Sequence, residues 1–166
     1  MSTETVAPRG HAYAARLIWE GNLGDGTSGY SRYARSYRVR VEGKPDLAGS
    51  ADPAFRGEPD RYNPEDLFLS SIAACHMLFY LALCARNGIR VVAYEDEASG
   101  TLAVGSDGGG RFEEVVLRPA VTIASPDGVG LATRLHETAH ERCFIANSCR
   151  VPVQVLPVVS VFGDSR

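Results

Sequence analysis

Two cysteines and two histidines of this chain fall within fourteen residues, HETAHERCFIANSC, positions 136–149. His136, Glu137 and His140 spell H-E-x-x-H. On a helix that spacing turns two imidazoles to one side, and with a third ligand and the glutamate as base it makes a zinc-dependent hydrolase. Cys143 and Cys149 close the stretch and offer a different chemistry: thiolate attack, oxidation to sulfenic acid and disulfide exchange. A third thiol, Cys75, lies inside the long apolar segment NPEDLFLSSIAACHMLFYLALCAR, positions 63–86, and Cys84 follows it nine residues later.

These groups act only where secondary structure holds them. Residues 1–10 read as a disordered tail, and 11–166 as a single domain. Ala12 to Glu20 reads as a strand leading into the glycine-rich turn NLGDGTSG. From Tyr30 to Val41 the residues alternate, with Tyr33, Arg35, Tyr37, Val39 and Val41 on one face. Residues 43–62, rich in Pro, Gly and Asp, form a long loop with room for a short strand near Leu47. Asn63-Pro64-Glu65 opens a helix: Asn caps, Pro takes the first helical position, and a carboxylate faces the positive end. Asn87-Gly88 stops it. Val91–Val104 and Phe112–Ile123 read as two strands joined by the turn SDGGG. A second helix runs from near Asp127 to near Arg142, and a last strand from Val151 to Phe162. Strands, long helix, strands, helix, strand is an α+β order.

On the 3.6-residue period, Phe68, Ile72, Cys75, Phe79 and Ala82 share one helix face. Cys84 is half a revolution from Cys75, so the two cannot serve one site. Cys75 has two readings. One is a small buried core residue, since free cysteine is among the most buried types. The other is a reactive thiol, which in an apolar setting requires a nearby cation to hold the thiolate. Arg35, between Tyr33 and Tyr37 in the apolar row of its strand, is the candidate cation, because a buried arginine needs an anionic partner. Its alternative is an edge position from which the side chain reaches water.

The metal reading is the weaker one. The apolar stripe of the second helix runs through Leu131, Leu135 and Ala139, which turns His140 toward solvent and leaves His136 at the border. Only His11 and His76 remain as further histidines. A solvated helix face accounts for the motif, and no metal or other cofactor is expected. Cys143 lies on the flank nearer His136, where a histidine would lower the pKa of that thiol.

The whole chain sets bounds. With 17 basic and 20 acidic residues the net charge is −3, which speaks against a nucleic-acid or anionic-membrane partner. The N-terminus MSTETVAPRGH lacks an apolar core, and no apolar run is expected to approach the roughly 20 residues of a membrane span. Those features point to the cytoplasm, where the cysteines rest as thiols.

The combination WEGNLGDGTSGYSRYARSY, GSADPAFRGEPDRYNPEDL, NPEDLFLSSIAACH and AHERCFIANS resembles the OsmC/Ohr family, the osmotically inducible and organic-hydroperoxide-resistance proteins, over nearly the whole length. The resemblance implies antiparallel strands packed with a long central cysteine-bearing helix in an intertwined homodimer. It also implies a cysteine-based peroxidase that reduces organic hydroperoxides in oxidative-stress defence. Cys75 matches the attacking cysteine, Cys143 the resolving one, and Glu65 the glutamate of the N-P-E motif. Arg35 in Y-A-R-S-Y is the best match to the activating arginine, with Arg32 and Arg56 behind it. An external dithiol, such as a lipoylated protein, would be the reductant. Better-characterised members follow the second cysteine with Pro-Val-Ser, whereas here Phe144-Ile145-Ala146 follows, and the arginine motif is shifted. The chain thus resembles a less characterised subgroup whose substrate is not simply inherited. A rival is a non-catalytic module that binds a small ligand or senses redox state through Cys75.

Overall fold

The computed structural model describes residues 10–163. The expected tail lies outside them except for Gly10, which is exposed coil. Contacts divide the chain into two compact units, Met1–Pro64 and Glu65–Arg166.

The first unit is built on three antiparallel strands in the order β1 (Arg16–Trp19), β2 (Tyr37–Arg40), β3 (Leu47–Gly49). The expected strand from Tyr30 is shorter than the alternation suggests. Residues 29–33 turn back on themselves, the Ala34 amide donates to the Gly21 carbonyl and the Glu20 amide to the Ser36 carbonyl, and the regular ladder begins at Tyr37. The polar row of β2 is neutralised at close range: Arg38 lies 2.6 Å from Glu20, and Arg40 lies 3.0 Å from Asp46. The other face is unusually apolar for exposed surface, with Leu17 69% and Trp19 45% accessible.

The second unit opens with α1 (Pro64–Arg86), with Pro64 at its start and Glu65 and Asp66 in its first turn. Gly88 ends it at φ +71°, a left-handed conformation that costs glycine nothing. The expectation that no apolar run approaches a membrane span is corrected here. α1 is long and apolar enough by length and composition, and its most apolar 18-residue stretch has a mean hydropathy of 2.0. Ile72, His76, Tyr80, Leu83 and Cys84 form its buried face.

Six strands follow in two sheets: β4 (Val91–Asp96), β7 (Pro119–Ile123) and β9 (Val158–Val161) in one, β5 (Ser99–Val104), β6 (Gly110–Leu117) and β8 (Val153–Val155) in the other. Each of the three strands expected here is real but interrupted, at 97–98, at Arg118 and at 156–157. The pairing register carries through the interruptions. β8 on β6 and β9 on β7 are both parallel with the same 38-residue offset. β5 with β6 and β4 with β7 are antiparallel, each with one bulge. The sheets are therefore mixed, not purely antiparallel. Arg118 pins the bend: its amide donates to Asp96 Oδ1 at 2.7 Å, and its guanidinium donates to Ser99 Oγ at 2.7 Å.

α2 (Val129–Arg142) and the short α3 (Phe144–Asn147) complete the unit. Two core clusters result. One joins Ile72 of α1 to Val115 and Leu117 of β6. The other joins Tyr80, Leu83 and Cys84 of α1 to Val121 and Ile123 of β7 and to Ala132, Leu135 and Ala139 of α2. Along α1, Cys75 falls between the residues that feed them.

Candidate active site

Cys75 and Cys143 meet. α1 delivers Cys75 from the edge of its buried face, partly exposed, while Cys143 is completely buried. Cys143 occupies the junction where α2 stops and α3 begins, with extended backbone at φ −65° and ψ 110°. The Ala146 amide donates to Cys143 Sγ at 3.5 Å, and the Cys75 thiol and the Ile145 amide are its further hydrogen-bonding neighbours. Both cysteines are unbridged thiols. Burial first, and then the Cys75 contact, push the Cys143 thiol up to about 11 against the opposing effect of the Ala146 amide.

This overturns the expectation that a histidine lowers the pKa of the second thiol. His136 is 2% exposed, and burial holds its pKa down to about 3, so the ring is neutral and offers no positive charge. Its Nδ1 shares a 3.0 Å hydrogen bond with Nε2 of His76, and its ring stacks on Tyr80 at 3.7 Å between centroids. His76 is held at about 4, first by burial and then by the nearby His140. The H-E-x-x-H motif is thereby divided: His136 is spent inside the core, and Glu137 is exposed. Among the described residues no three His, Cys, Asp or Glu side chains gather as metal ligands.

A cavity of about 310 Å³ opens beside Cys75. α1 supplies Leu78, Phe79, Ala82, Leu83 and Arg86 to its wall, and the α2–α3 junction supplies Arg142 and Phe144. Phe79 and Phe144 meet edge to face, 4.8 Å between centroids at 87°, and so fix part of the wall. Cys84 is on the opposite side of α1, fully buried, its pKa raised by burial. Cys149 stands apart. It donates to the Ile145 carbonyl at 3.1 Å and lines a larger cavity of about 680 Å³ with Phe68, Phe112 and Arg111. That cavity contains no second thiol, so its size does not make it the reactive site.

Glu65 sits in the first turn of α1, half-buried. The helix between Glu65 and Cys75 is unbroken, so ten residues separate them by ~15 Å along the axis. In the first unit, the Arg35 guanidinium donates to the carbonyls of Tyr33 and Tyr30, each at 2.6 Å. It also lies over both tyrosine rings, 4.0 and 4.5 Å from their centroids. Arg35 precedes β2 and does not stand in its ladder. Arg32 is paired with Asp25 at 3.6 Å on the surface, and Arg56 caps a 3-10 turn with φ +68°. Four residues of this region were not anticipated: His76, Arg86, Arg142 and Phe144. Arg86 was legible, because eleven residues after Cys75 is three helical turns and returns to the same face.

A family model described as OsmC-like protein matches residues 57–156, more than half of the chain. The uncharacterized Bacillus subtilis (strain 168) protein YmaD is 24% identical over 155 residues, which cover 91% of this chain and 95% of that one. Among solved structures, an OsmC-like protein of unknown function from Vibrio cholerae is similar with a TM-score of 0.79 at 28% identity, covering 89% of this chain and 99% of that chain. An organic hydroperoxide resistance protein from Elizabethkingia anophelis shares the fold, with a TM-score of 0.67 at 20% identity, covering 93% and 99% of the two chains. The α+β architecture around a central cysteine-bearing helix agrees with these likenesses, and the chain belongs to the OsmC-like protein family.

Proposed function

We propose that this protein is a thiol-dependent peroxidase that reduces organic hydroperoxides to alcohols. One observation carries the reading: a partly exposed thiol at an apolar cavity, hydrogen-bonded to a second, fully buried thiol. Cys75, as thiolate, attacks the terminal oxygen of ROOH. The O–O bond breaks, the alkoxide takes a proton and leaves as ROH, and Cys75 becomes a sulfenic acid. The Cys143 sulfur then displaces that hydroxyl, which leaves as water with the Cys143 proton, and a Cys75–Cys143 disulfide forms. The raised pKa of Cys143 suits this order, because it stays a thiol until the sulfenic acid appears beside it. An external dithiol, such as a lipoylated protein, restores both thiols. A reducing compartment, the cytoplasm, suits that cycle.

Arg35 is proposed to steady the Cys75 thiolate and the charge on the departing oxygen, and Glu65 to orient the guanidinium by a fork-to-fork pair. The ~15 Å between Glu65 and Cys75 on one helix argues that the two act on different copies of the chain. A homodimer fits the surface as well. Only 28% of the most apolar stretch of α1 is buried, and Leu78 and Val158 are 62% and 65% exposed. A second copy of the chain is the proposed cover.

The test is dithiol-dependent turnover of cumene hydroperoxide by the wild type and by Cys75→Ser. Turnover by the wild type and its loss in Cys75→Ser is the expected result. Full activity without the Cys75 sulfur ends the proposal.

A further inference from the structure

We propose that the buried His76–His136 hydrogen bond is a clasp between α1 and α2 that holds the Cys75 and Cys143 thiols within reach of each other, so that both histidines are positioning residues for disulfide closure and take no part in the attack on peroxide. The roles of the two thiols rest on the peroxidase reading, and the clasp deepens it.

Each histidine is tied to one of the cysteines through its own helix. His76 directly follows Cys75 on α1, one step of ~1.5 Å along the axis, so a bond that fixes His76 also fixes the height and rotation of Cys75. His136 precedes Cys143 by two turns of α2, which brings Cys143 back to the same side of the helix ~10 Å further on. The Cys143 amide still donates to the His140 carbonyl at 3.2 Å, so the last turn of α2 carries Cys143 with it.

The bond itself is suited to the task. Nε2 of His76 and Nδ1 of His136 are 3.0 Å apart in almost fully buried residues. The outer nitrogens, Nδ1 of His76 and Nε2 of His136, are buried without a hydrogen-bonding partner among the described residues. Opening the bond would leave the inner pair unpaired as well, which is costly in a dry interior. The rings are nearly parallel to each other, and His136 also stacks on Tyr80 at 14° between planes. Around them Leu83, Cys84, Ala132, Leu135 and Ala139 form an apolar cluster. Apolar burial opposes separation of the helices but has no direction, whereas a hydrogen bond weakens steeply as its angle opens. A small slide or roll of α1 on α2 is therefore resisted by the histidine bond in particular. Neither histidine lines the cavity beside Cys75, and both rings are neutral near pH 7, so neither brings a charge to the attacking sulfur.

The experiment separates attack from closure in the wild type, His136→Phe, His136→Asn and the double variant His76→Phe/His136→Phe, each at a temperature where a thermal melt shows it folded. Phenylalanine keeps a ring on Tyr80 and removes the bond. Asparagine sets a polar atom near the place of Nδ1. The double variant leaves no buried nitrogen behind, and so guards against a single variant that fails to fold. After one equivalent of cumene hydroperoxide, rapid quenching with dimedone reads the Cys75 sulfenic acid, and non-reducing mass spectrometry reads the disulfide. Separately, each variant is equilibrated with reduced and oxidised glutathione. There the oxidised form takes two electrons and two protons from the thiol pair and becomes two reduced molecules, and the effective concentration of the pair is read without peroxide.

Closure rate and effective concentration should both fall about ten-fold in the two phenylalanine variants, the factor that one unmade buried hydrogen bond supplies. Sulfenic acid should form at the wild-type rate and, left unresolved, pass on to sulfinic acid. His136→Asn should recover part of the closure rate. Closure unchanged in both phenylalanine variants overturns the proposal, as does an equal slowing of attack and closure, or an asparagine variant no better than phenylalanine. If the wild type gives no sulfenic acid with cumene hydroperoxide while the glutathione measurement falls as expected, the peroxidase is wrong and the clasp stands. If that measurement does not move, the clasp is wrong whatever the peroxide does.

Discussion

Lowering the pH from 7 to 5 should weaken this fold well before its carboxylates protonate. The cause is the His76–His136 pair. Both rings are almost fully buried, at 1% and 2% exposure, and burial holds them neutral down to about 4 and about 3. In the unfolded chain each histidine titrates near 6.5. Between pH 6.5 and about 4 the unfolded state therefore binds protons that the folded state refuses, and stability falls as pH falls. Above 6.5 the effect is absent. At pH 5 the deficit is about 1.5 pH units per ring, or about 2 kcal/mol each and at most about 4 kcal/mol for both. That is a large part of the 5–15 kcal/mol typical of a folded domain. The groups around the pair do not offset it. Tyr80 and Cys84 have pKa values raised by burial and remain neutral throughout, and His140 opposes a charge on His76. On β4, Asp96 has its pKa raised by burial and works in the opposite sense, favouring the folded state as it protonates. Urea titrations at fixed protein concentration should show the midpoint dropping steadily between pH 6.5 and 5, with flat behaviour from 8 to 7. A midpoint that does not move between pH 7 and 5, or native-state imidazole resonances of both rings titrating near 6.5, would refute the burial argument.

Cys84→Ser should keep peroxide turnover, because Cys84 lies on the far side of α1 from Cys75, but it should lower stability by about 1–3 kcal/mol for a hydroxyl placed in an apolar core. One equivalent of hydroperoxide followed by non-reducing peptide mapping should give a dominant Cys75–Cys143 crosslink. A Cys143–Cys149 crosslink would leave Cys75 without its resolving partner. Sedimentation equilibrium at micromolar concentration should return twice the chain mass of 17.8 kDa, and a monomer there contradicts the proposed dimer.

Helical phase made most of this site legible. It separated Cys75 from Cys84, and the apolar stripe and the glycine stop bounded α1 to within a residue. Phase misjudged the depth of burial by about one position. His76, Tyr80 and Cys84, not Phe68, Cys75 and Phe79, point into the densest packing. That shift is what leaves Cys75 beside a cavity. The histidine pair was invisible because a contact between residues 76 and 136 has no local pattern, and helical phase put His136 only at the border of the apolar stripe. The long strands were read in nearly correct positions, but the bend was not. Nothing in the alternation of Phe112–Ile123 marks the point where Arg118 is tied to Asp96 and Ser99. The early arginine strand failed for the opposite reason: Tyr33, Arg35 and Tyr37 alternate as a strand does, yet the turn before Ser36 recruits the first two.

The shared 38-residue offset of the two parallel strand pairs has a consequence for how the chain is made. The central strands, Gly110–Leu117 and Pro119–Ile123, leave the ribosome with a hairpin partner on one side only, and the other edge stays bare until Val153–Val161 emerges. Closing a loop of that length is slow next to a hairpin, and a nascent chain with an open apolar edge is the kind that associates with its neighbours or with a chaperone. Truncating at Pro152 would strip one edge strand from each sheet at once, so a shortened product should be found in aggregates and not as a loosened monomer. The two sheets thus close only once Val153–Val161 has been made.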